Sequence, residues 1–238
     1  MEFIGADSLI VAETLKGIKR THGTAASQKA ALLTDDLRLI LRTLPTSGSG
    51  TRDRALLLIG FAGAFRRSEL VSIDHSDLKF EAAGVLITLR RSKTDQEGQG
   101  RHVAIPAGKD SNTCPVLALQ KWLAQAEIVD GPVFRPIRKG GAISTTRLTG
   151  HAVAYLLKGH ARVAGLAADT FSGHSLRAGF VTSAVRAGEP ERRIMRQTGE
   201  CRNGSSVCPS GKPVHRQFCS GPWPLNSQSQ QYSAGRPT

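Results

Sequence analysis

The sequence predicts a mainly α-helical fold with a small antiparallel β-sheet, an α+β class in which helices dominate. Two observations lead to this prediction. Apolar residues recur at helical spacing through most of the first 199 residues, in segments bounded by cap and turn residues. Only short stretches have the β-branched composition of strands. With 238 residues, 39% of them hydrophobic, the chain can bury the core of one large domain with attachments.

Helix boundaries follow from capping residues and turns. Thr34 is a favourable N-cap, with Asp35 and Asp36 in the first turn. A glycine- and serine-rich cluster at residues 45–50 predicts a turn, and Pro115 has the position of a first helical residue. The resulting helices are predicted over residues 6–20, 34–44, 51–65, 115–128, 147–164, 175–187 and 190–197.

The predicted sheet consists of two short strands at residues 84–90 and 102–105, both partly β-branched. A polar turn over residues 94–100 separates them, so Lys93 is expected in a β-hairpin. Val133 and Phe134 are a candidate third strand.

Charge points to a polyanionic partner. The net charge is +13 and the isoelectric point is about 10.3, which makes nucleic acid the first candidate. Aromatic residues are only 5% of the chain, so contact with duplex phosphates fits better than stacking on single strands. A generally basic protein with no such partner is the alternative.

Membrane, secretory and metal-binding classes are not supported. No run of about 18 apolar residues is present, and the first residues lack the pattern of a secretory signal, so a cytoplasmic protein is expected. Of the four cysteines, Cys201, Cys208 and Cys219 lie near His215, but their spacing matches no common zinc finger. We therefore expect no metal and no cofactor.

Cationic residues in three separate segments are the main functional feature. Arg66 lies in Ala-Phe-Arg-Arg-Ser-Glu-Leu, Lys93 in Arg-Arg-Ser-Lys-Thr, and His174 and Arg177 in Gly-His-Ser-Leu-Arg. Within apolar surroundings, a buried cation without an anion costs several kcal/mol. A bound phosphate removes that cost, because a guanidinium group matches its oxygens bidentately. His174 and Arg177, three residues apart at a helix start, suit a phosphate site especially well.

These motifs resemble the tyrosine recombinase (phage integrase) family over roughly residues 34–199. The resemblance implies that Arg66 and Arg177 clamp the scissile phosphate, that Lys93 protonates the leaving 5′-oxygen, and that His174 completes the site. It also implies DNA strand cleavage and rejoining through a 3′-phosphotyrosine, without metal or nucleotide. Family members assemble as oligomers on double-stranded DNA and integrate or recombine mobile elements.

Each motif also has a simpler interpretation. Arg66 could be an ordinary helix residue paired with Glu69, although within the resemblance Glu69 supports the site. Lys93 could be only a solvated hairpin lysine, and Arg91 and Arg101 compete with it as residues that contact backbone phosphate. The pattern His-x-x-Arg alone occurs by chance in many proteins.

The resemblance fails after Gly199. Glu200 stands where the family has a second histidine, and a carboxylate there would repel a phosphate. The nucleophilic tyrosine should follow within about ten residues, but residues 201–213 contain none. Tyr155, expected on a packed helix, precedes the His-x-x-Arg motif, and Tyr232 lies too far beyond it. The chain is therefore expected to be inactive in recombination.

The domain organisation follows these limits. Residues 1–24 are predicted to be the remnant of an N-terminal core-binding domain and its linker, and residues 25–199 an incomplete catalytic domain. In residues 200–238, 20 of 39 are Gly, Pro, Ser or Gln, which predicts a disordered tail. A frameshift near residue 200 explains this change, because codons read one base later can place a tyrosine across Val207 and Cys208. A non-catalytic DNA-binding remnant and a phosphate-binding regulator unrelated to DNA are the alternative functions.

Overall fold

The computed structural model describes residues 29–90 and 100–199, together with Glu13. Within these residues the helices are α1 (Thr34–Thr43), α2 (Gly48–Ala62), α3 (Arg67–Ser72), α4 (Pro115–Gln125), α5 (Gly150–Val163), α6 (Ser175–Arg186) and α7 (Glu191–Thr198). The strands β1 (Leu78–Glu81), β2 (Gly84–Leu89) and β3 (Arg101–Pro106) form one antiparallel sheet in that order. The predicted class, mainly α with a small antiparallel sheet, is confirmed.

Helix α2 is the centre of the core, and almost every residue along it is buried. Phe61 meets Phe180 of α6 edge to face, with ring centroids 6.2 Å apart. The buried charges of α2 are compensated locally. Asp53 Oδ1 accepts a hydrogen bond from Arg52 Nε at 2.8 Å. Asp53 Oδ2 is hydrogen-bonded to His160 Nε2 at 2.8 Å, and this bond connects α2 to α5. Because burying an unpaired carboxylate is costly, this cluster fixes the position of α5 against α2.

The sheet buries one face through alternating residues of β2 and β3. Val85, Ile87 and Val103 are among its buried side chains. Leu89 pairs with Arg101 at the end of the β2–β3 ladder, so the chain leaves β2 and enters β3 at the same end of the sheet. None of the helices in the described part of the chain is both long enough and apolar enough to cross a membrane.

Several boundaries differ from the sequence prediction. The cluster at residues 45–50 is only partly a turn, since Ser47 caps α2 by accepting a hydrogen bond from Gly50 N. Leu33 is the N-cap of α1, and Thr34 is its first helical residue. The expected strand at Val133 and Phe134 is wrong, because the two buried residues lie in an irregular segment.

Other predictions were incomplete or lie elsewhere. Strand β1 was not predicted, because Leu-Lys-Phe-Glu has no β-branched residue, and its pairing with β2 decides its conformation. The predicted helix over residues 6–20 lies outside the described residues except for Glu13, and so does the predicted tail over residues 200–238.

Candidate functional site

The turn between α2 and α3 places Arg66 at the beginning of α3. Ala64 in this turn is buried and has a φ of 50°, an uncommon value for a residue with a Cβ. Arg66 is the N-cap of α3, and its backbone N–H donates to Glu69 Oε2 at 2.9 Å. Arg66 Nη1 also donates to Glu69 Oε1 at 2.8 Å. One carboxylate therefore fixes both the backbone and the guanidinium of Arg66.

Helix α6 brings the second predicted arginine to the same turn. Arg177 is 8% exposed, and its Nη1 donates to the carbonyl oxygen of Ala64 at 2.8 Å. His174 is the N-cap of α6 and is exposed, so the two side chains differ in burial although they are three residues apart. Gly173 lies against the side chain of Arg67, so that a Cβ there would lie 2.7 Å from Arg67 Cδ. The segments that carry Arg66 and His174 are thus in direct contact.

Arg101, at the start of β3, joins these residues through the same carboxylate. Its Nη2 donates to Glu69 Oε2 at 3.2 Å, and its Nη1 donates to the carbonyl oxygen of Gln197 in α7 at 2.8 Å. The Gln197 side chain in turn donates to the carbonyl oxygen of Ala62 at 2.9 Å. These bonds connect the end of α7 to the end of α2 and to Glu69.

The site has more positive than negative charge. Burial opposes ionisation of Glu69, but the Arg66 N–H and the charges of Arg101 and Arg66 outweigh it and hold the pKa of Glu69 below its usual value. Burial lowers the pKa of Arg101, which Glu69 opposes and Arg177 and Arg66 reinforce. Arg66 and Arg101 therefore share one carboxylate, and Arg177 lies close enough to Arg101 for its charge to lower the Arg101 pKa. Such a cluster favours an anion with several oxygens, such as a phosphate diester.

The remaining predicted site residues have mixed outcomes. Lys93 lies outside the described residues, which end at Arg90 and resume at Gly100 on either side of it. Glu200 also lies outside them, directly after Gly199, the αL residue that ends α7. Tyr155 lies on α5, a helix that packs through Val153 and Leu157, and its own side chain is 80% exposed.

Two residues of the site have contacts that the sequence did not reveal. Arg101 was expected to contact backbone phosphate, but both of its terminal nitrogens bind protein acceptors. Gln197, buried in α7, was not singled out. Arg101 is 32 residues from Glu69 and 96 from Gln197, and no local pattern in the sequence reports such distant pairs.

The fold joins an arginine motif and a His-x-x-Arg helix at one turn. This is the fold of tyrosine recombinase catalytic domains. The phage integrase family model matches residues 31–201. The chain belongs to the phage integrase family.

Curated relatives agree with this membership. An integrase/recombinase xerD homolog of Selenomonas ruminantium is 41% identical over 213 residues, which is 89% of this chain and 60% of that protein. A tyrosine recombinase XerC of Pelotomaculum thermopropionicum is 29% identical over 161 residues, which is 66% of this chain and 48% of that protein. The chain thus spans about half to three fifths of the length of these two relatives.

Solved structures agree on the fold. A XerA recombinase superposes with a TM-score of 0.56 at 17% identity, covering 84% of this chain and 68% of that one. A XerH site-specific recombinase bound to its difH substrate gives 0.55 at 18% identity, covering 72% of this chain and 47% of that one. A lambda integrase dimer bound to a COC′ core site gives 0.52 at 15% identity, covering 89% and 73%.

Proposed function

We propose that residues 25–199 are the catalytic domain of an integrase-type, site-specific DNA recombinase, and that the partner of the chain is double-stranded DNA. The observation that carries the proposal is the cluster in which Arg66 and Arg101 share the Glu69 carboxylate and Arg177 lies near Arg101. The net charge of +13 supports it, because a basic surface attracts duplex phosphates. Membership of the phage integrase family favours DNA over other polyanions. A cytoplasmic location and assembly as an oligomer on DNA belong to the same proposal.

The proposed roles follow from the charge that develops during phosphodiester transfer. Arg66 and Arg177 hold the non-bridging oxygens of the scissile phosphate, and exposed His174 at the start of α6 donates a further hydrogen bond. Lys93 gives a proton to the leaving 5′-oxygen. In the complete reaction a tyrosine oxygen attacks phosphorus, so that a phosphotyrosine bond forms while the bond to the 5′-oxygen breaks. None of these steps needs a metal or a nucleotide.

We further propose that the chain binds DNA without cleaving it. Residues 201–213 provide no tyrosine, and Glu200 has a carboxylate at the sequence position where the family has a second histidine. Tyr155 is exposed on α5. The contact of Arg177 joins two other parts of the fold, α6 and the turn between α2 and α3, so Tyr155 is not on an element that this contact joins. We therefore propose a DNA-binding protein that does not catalyse recombination. Residues 200–238 are proposed to be an out-of-frame tail.

The test combines binding with covalent trapping. We expect the chain to bind labelled duplex DNA with little sequence preference and to lose about 10-fold or more in affinity between low and physiological salt. With end-labelled suicide-substrate DNA, a denaturing gel should show no protein-linked band. Affinity that does not change with salt contradicts the phosphate-contact proposal. A covalent band that disappears in Tyr155→Phe or Tyr232→Phe contradicts the proposed inactivity, and a preference for free phosphate over duplex supports a regulator unrelated to DNA.

A further inference from the structure

Arg101 is held at both ends of its guanidinium group. Nη2 binds the Glu69 carboxylate and Nη1 binds the backbone carbonyl of Gln197, while the side chain is 17% exposed. Its Nε is buried and has no hydrogen-bond partner among the residues that the structure describes. A buried N–H without a partner costs about 1–3 kcal/mol. The orientation of the side chain is therefore set by the two acceptors at its tip.

The two acceptors lie on different parts of the site. Glu69 belongs to α3 and fixes Arg66 by hydrogen bonds to its backbone and side chain. Gln197 belongs to the last turn of α7, where the Arg101 stem also runs beside Gly199, so that a Cβ there would lie 2.9 Å from its Cδ. Arg101 itself begins β3, directly after the segment that carries Lys93. One side chain thus spans three elements that border the phosphate site.

We propose that Arg101 is a positioning residue of the phosphate site, which aligns Arg66, through Glu69, with the C-terminal turn of α7. The inference rests on the proposed binding of DNA phosphate at this site. Arg101 acts on Arg66 through the shared carboxylate and does not contact the phosphate itself. Its planar fork serves two acceptors in fixed directions, which a lysine ammonium cannot reproduce.

This proposal differs measurably from a simple phosphate contact. If Arg101 only supplied charge to DNA, lysine would replace it with little loss. If it positions Arg66, lysine preserves the charge but loses the bridge to α7. Arg101 also helps to keep Glu69 ionised, so removing its charge should raise the pKa of Glu69. As the pH is lowered, both the affinity for DNA and the stability should then begin to fall at a higher pH.

The experiment compares Arg101→Lys and Arg101→Gln with matched substitutions at Arg38, an arginine of α1 paired with exposed Asp35. Affinity for a labelled 30-base-pair duplex (about 100 Å long) is measured by fluorescence anisotropy between about pH 4 and about pH 8 at constant salt. Urea unfolding is measured over the same pH range. We expect Arg101→Lys to remain folded at neutral pH and to bind at least about 10-fold more weakly, equivalent to about 1.4 kcal/mol. In Arg101→Gln the acid limb, meaning the fall of affinity and of stability on the acidic side of the pH profile, should shift to higher pH. Both Arg38 variants should follow the unmodified chain.

Three results would overturn the proposal. The first is an Arg101→Lys variant that binds as tightly as the unmodified chain, and the second is one that is unfolded at neutral pH, which would make Arg101 only a structural residue. The third is an Arg101→Gln variant whose acid limb does not move. If the unmodified chain fails to bind DNA, the proposed function fails, and the acid limb of urea stability still decides whether Arg101 supports Glu69.

Discussion

Replacing Glu69 by glutamine tests whether one carboxylate holds the site together. Glu69 is 3% exposed and forms ion pairs with Arg66 at 2.8 Å and with Arg101 at 3.2 Å. Glutamine has nearly the same shape but no charge, so it removes the carboxylate charge that two largely buried guanidinium groups share. Removing one partner from a buried ion pair costs about 3–5 kcal/mol. That is a large fraction of the roughly 5–15 kcal/mol that stabilises a typical domain.

The loss can be measured by urea unfolding with a matched control. For a urea m-value of about 1–3 kcal/mol per molar, Glu69→Gln should lower the midpoint by about 1 M or more with m unchanged. Asp35→Asn is the control, because Asp35 pairs with Arg38 at the same i, i+3 spacing but is 93% exposed. An exposed pair and a first-turn charge together contribute about 1 kcal/mol or less. The reasoning is refuted if Glu69→Gln costs no more than Asp35→Asn.

The dependence on pH gives a second reading of the same substitution. The pKa of Glu69 is lowered in the folded chain, so its stabilisation is fully present above its unfolded pKa of about 4.3. The contribution is lost as pH falls through the lower, folded pKa. The stability gap between the unmodified chain and Glu69→Gln should therefore be largest near neutral pH and should shrink below about pH 4. A gap that widens on acidification would contradict this assignment.

Further substitutions test the packing and the proposed phosphate contacts. A Cβ at Gly179 would lie 1.8 Å from the Leu32 carbonyl oxygen, so Gly179→Ala should destabilise the chain by about 2 kcal/mol or more in urea unfolding. Gly159 has open space around it in α5, and Gly159→Ala should instead stabilise by up to about 1 kcal/mol; equal effects would refute the steric account. Arg66→Ala should weaken duplex binding by about 1.5–3 kcal/mol in fluorescence anisotropy, and unchanged affinity would exclude its phosphate role. Arg177→Ala should weaken binding similarly and also lower the urea midpoint, because it removes a buried hydrogen bond to the turn.

Local patterns in the sequence were sufficient for α6 and α7, although no predicted helix covered α3, which carries Glu69. Helical periodicity placed α6 and α7 within one residue of their observed ends, and β-branched residues marked β2 and β3. The Arg-x-Ser-Glu-Leu and His-x-x-Arg motifs identified Arg66 and Arg177, which the structure connects through Ala64. These features depend on neighbours within a few residues, so they are visible in the sequence alone.

Contacts between distant residues were not visible. Arg101 was interpreted as a residue that contacts backbone phosphate, whereas the structure shows its guanidinium bound to Glu69 and to the carbonyl oxygen of Gln197. Val133 and Phe134 have strand-forming side chains, but their backbone hydrogen bonds go to Ile73, Trp122 and Leu148, which lie in three different segments. The conformation of such residues depends on the surfaces that fold against them.

The strained turn at Ala64 makes the phosphate geometry a property of the intact fold. A residue with a Cβ in the left-handed region costs about 1–2 kcal/mol, and here the Arg177 hydrogen bond helps to retain it. When α6 separates from α2 during unfolding, that bond is lost, the turn relaxes, and Arg66 and Arg177 lose their alignment together. A partly unfolded chain therefore keeps its positive charge but no longer presents a defined site. It should behave as a simple polycation, which binds any nucleic acid and discriminates among none.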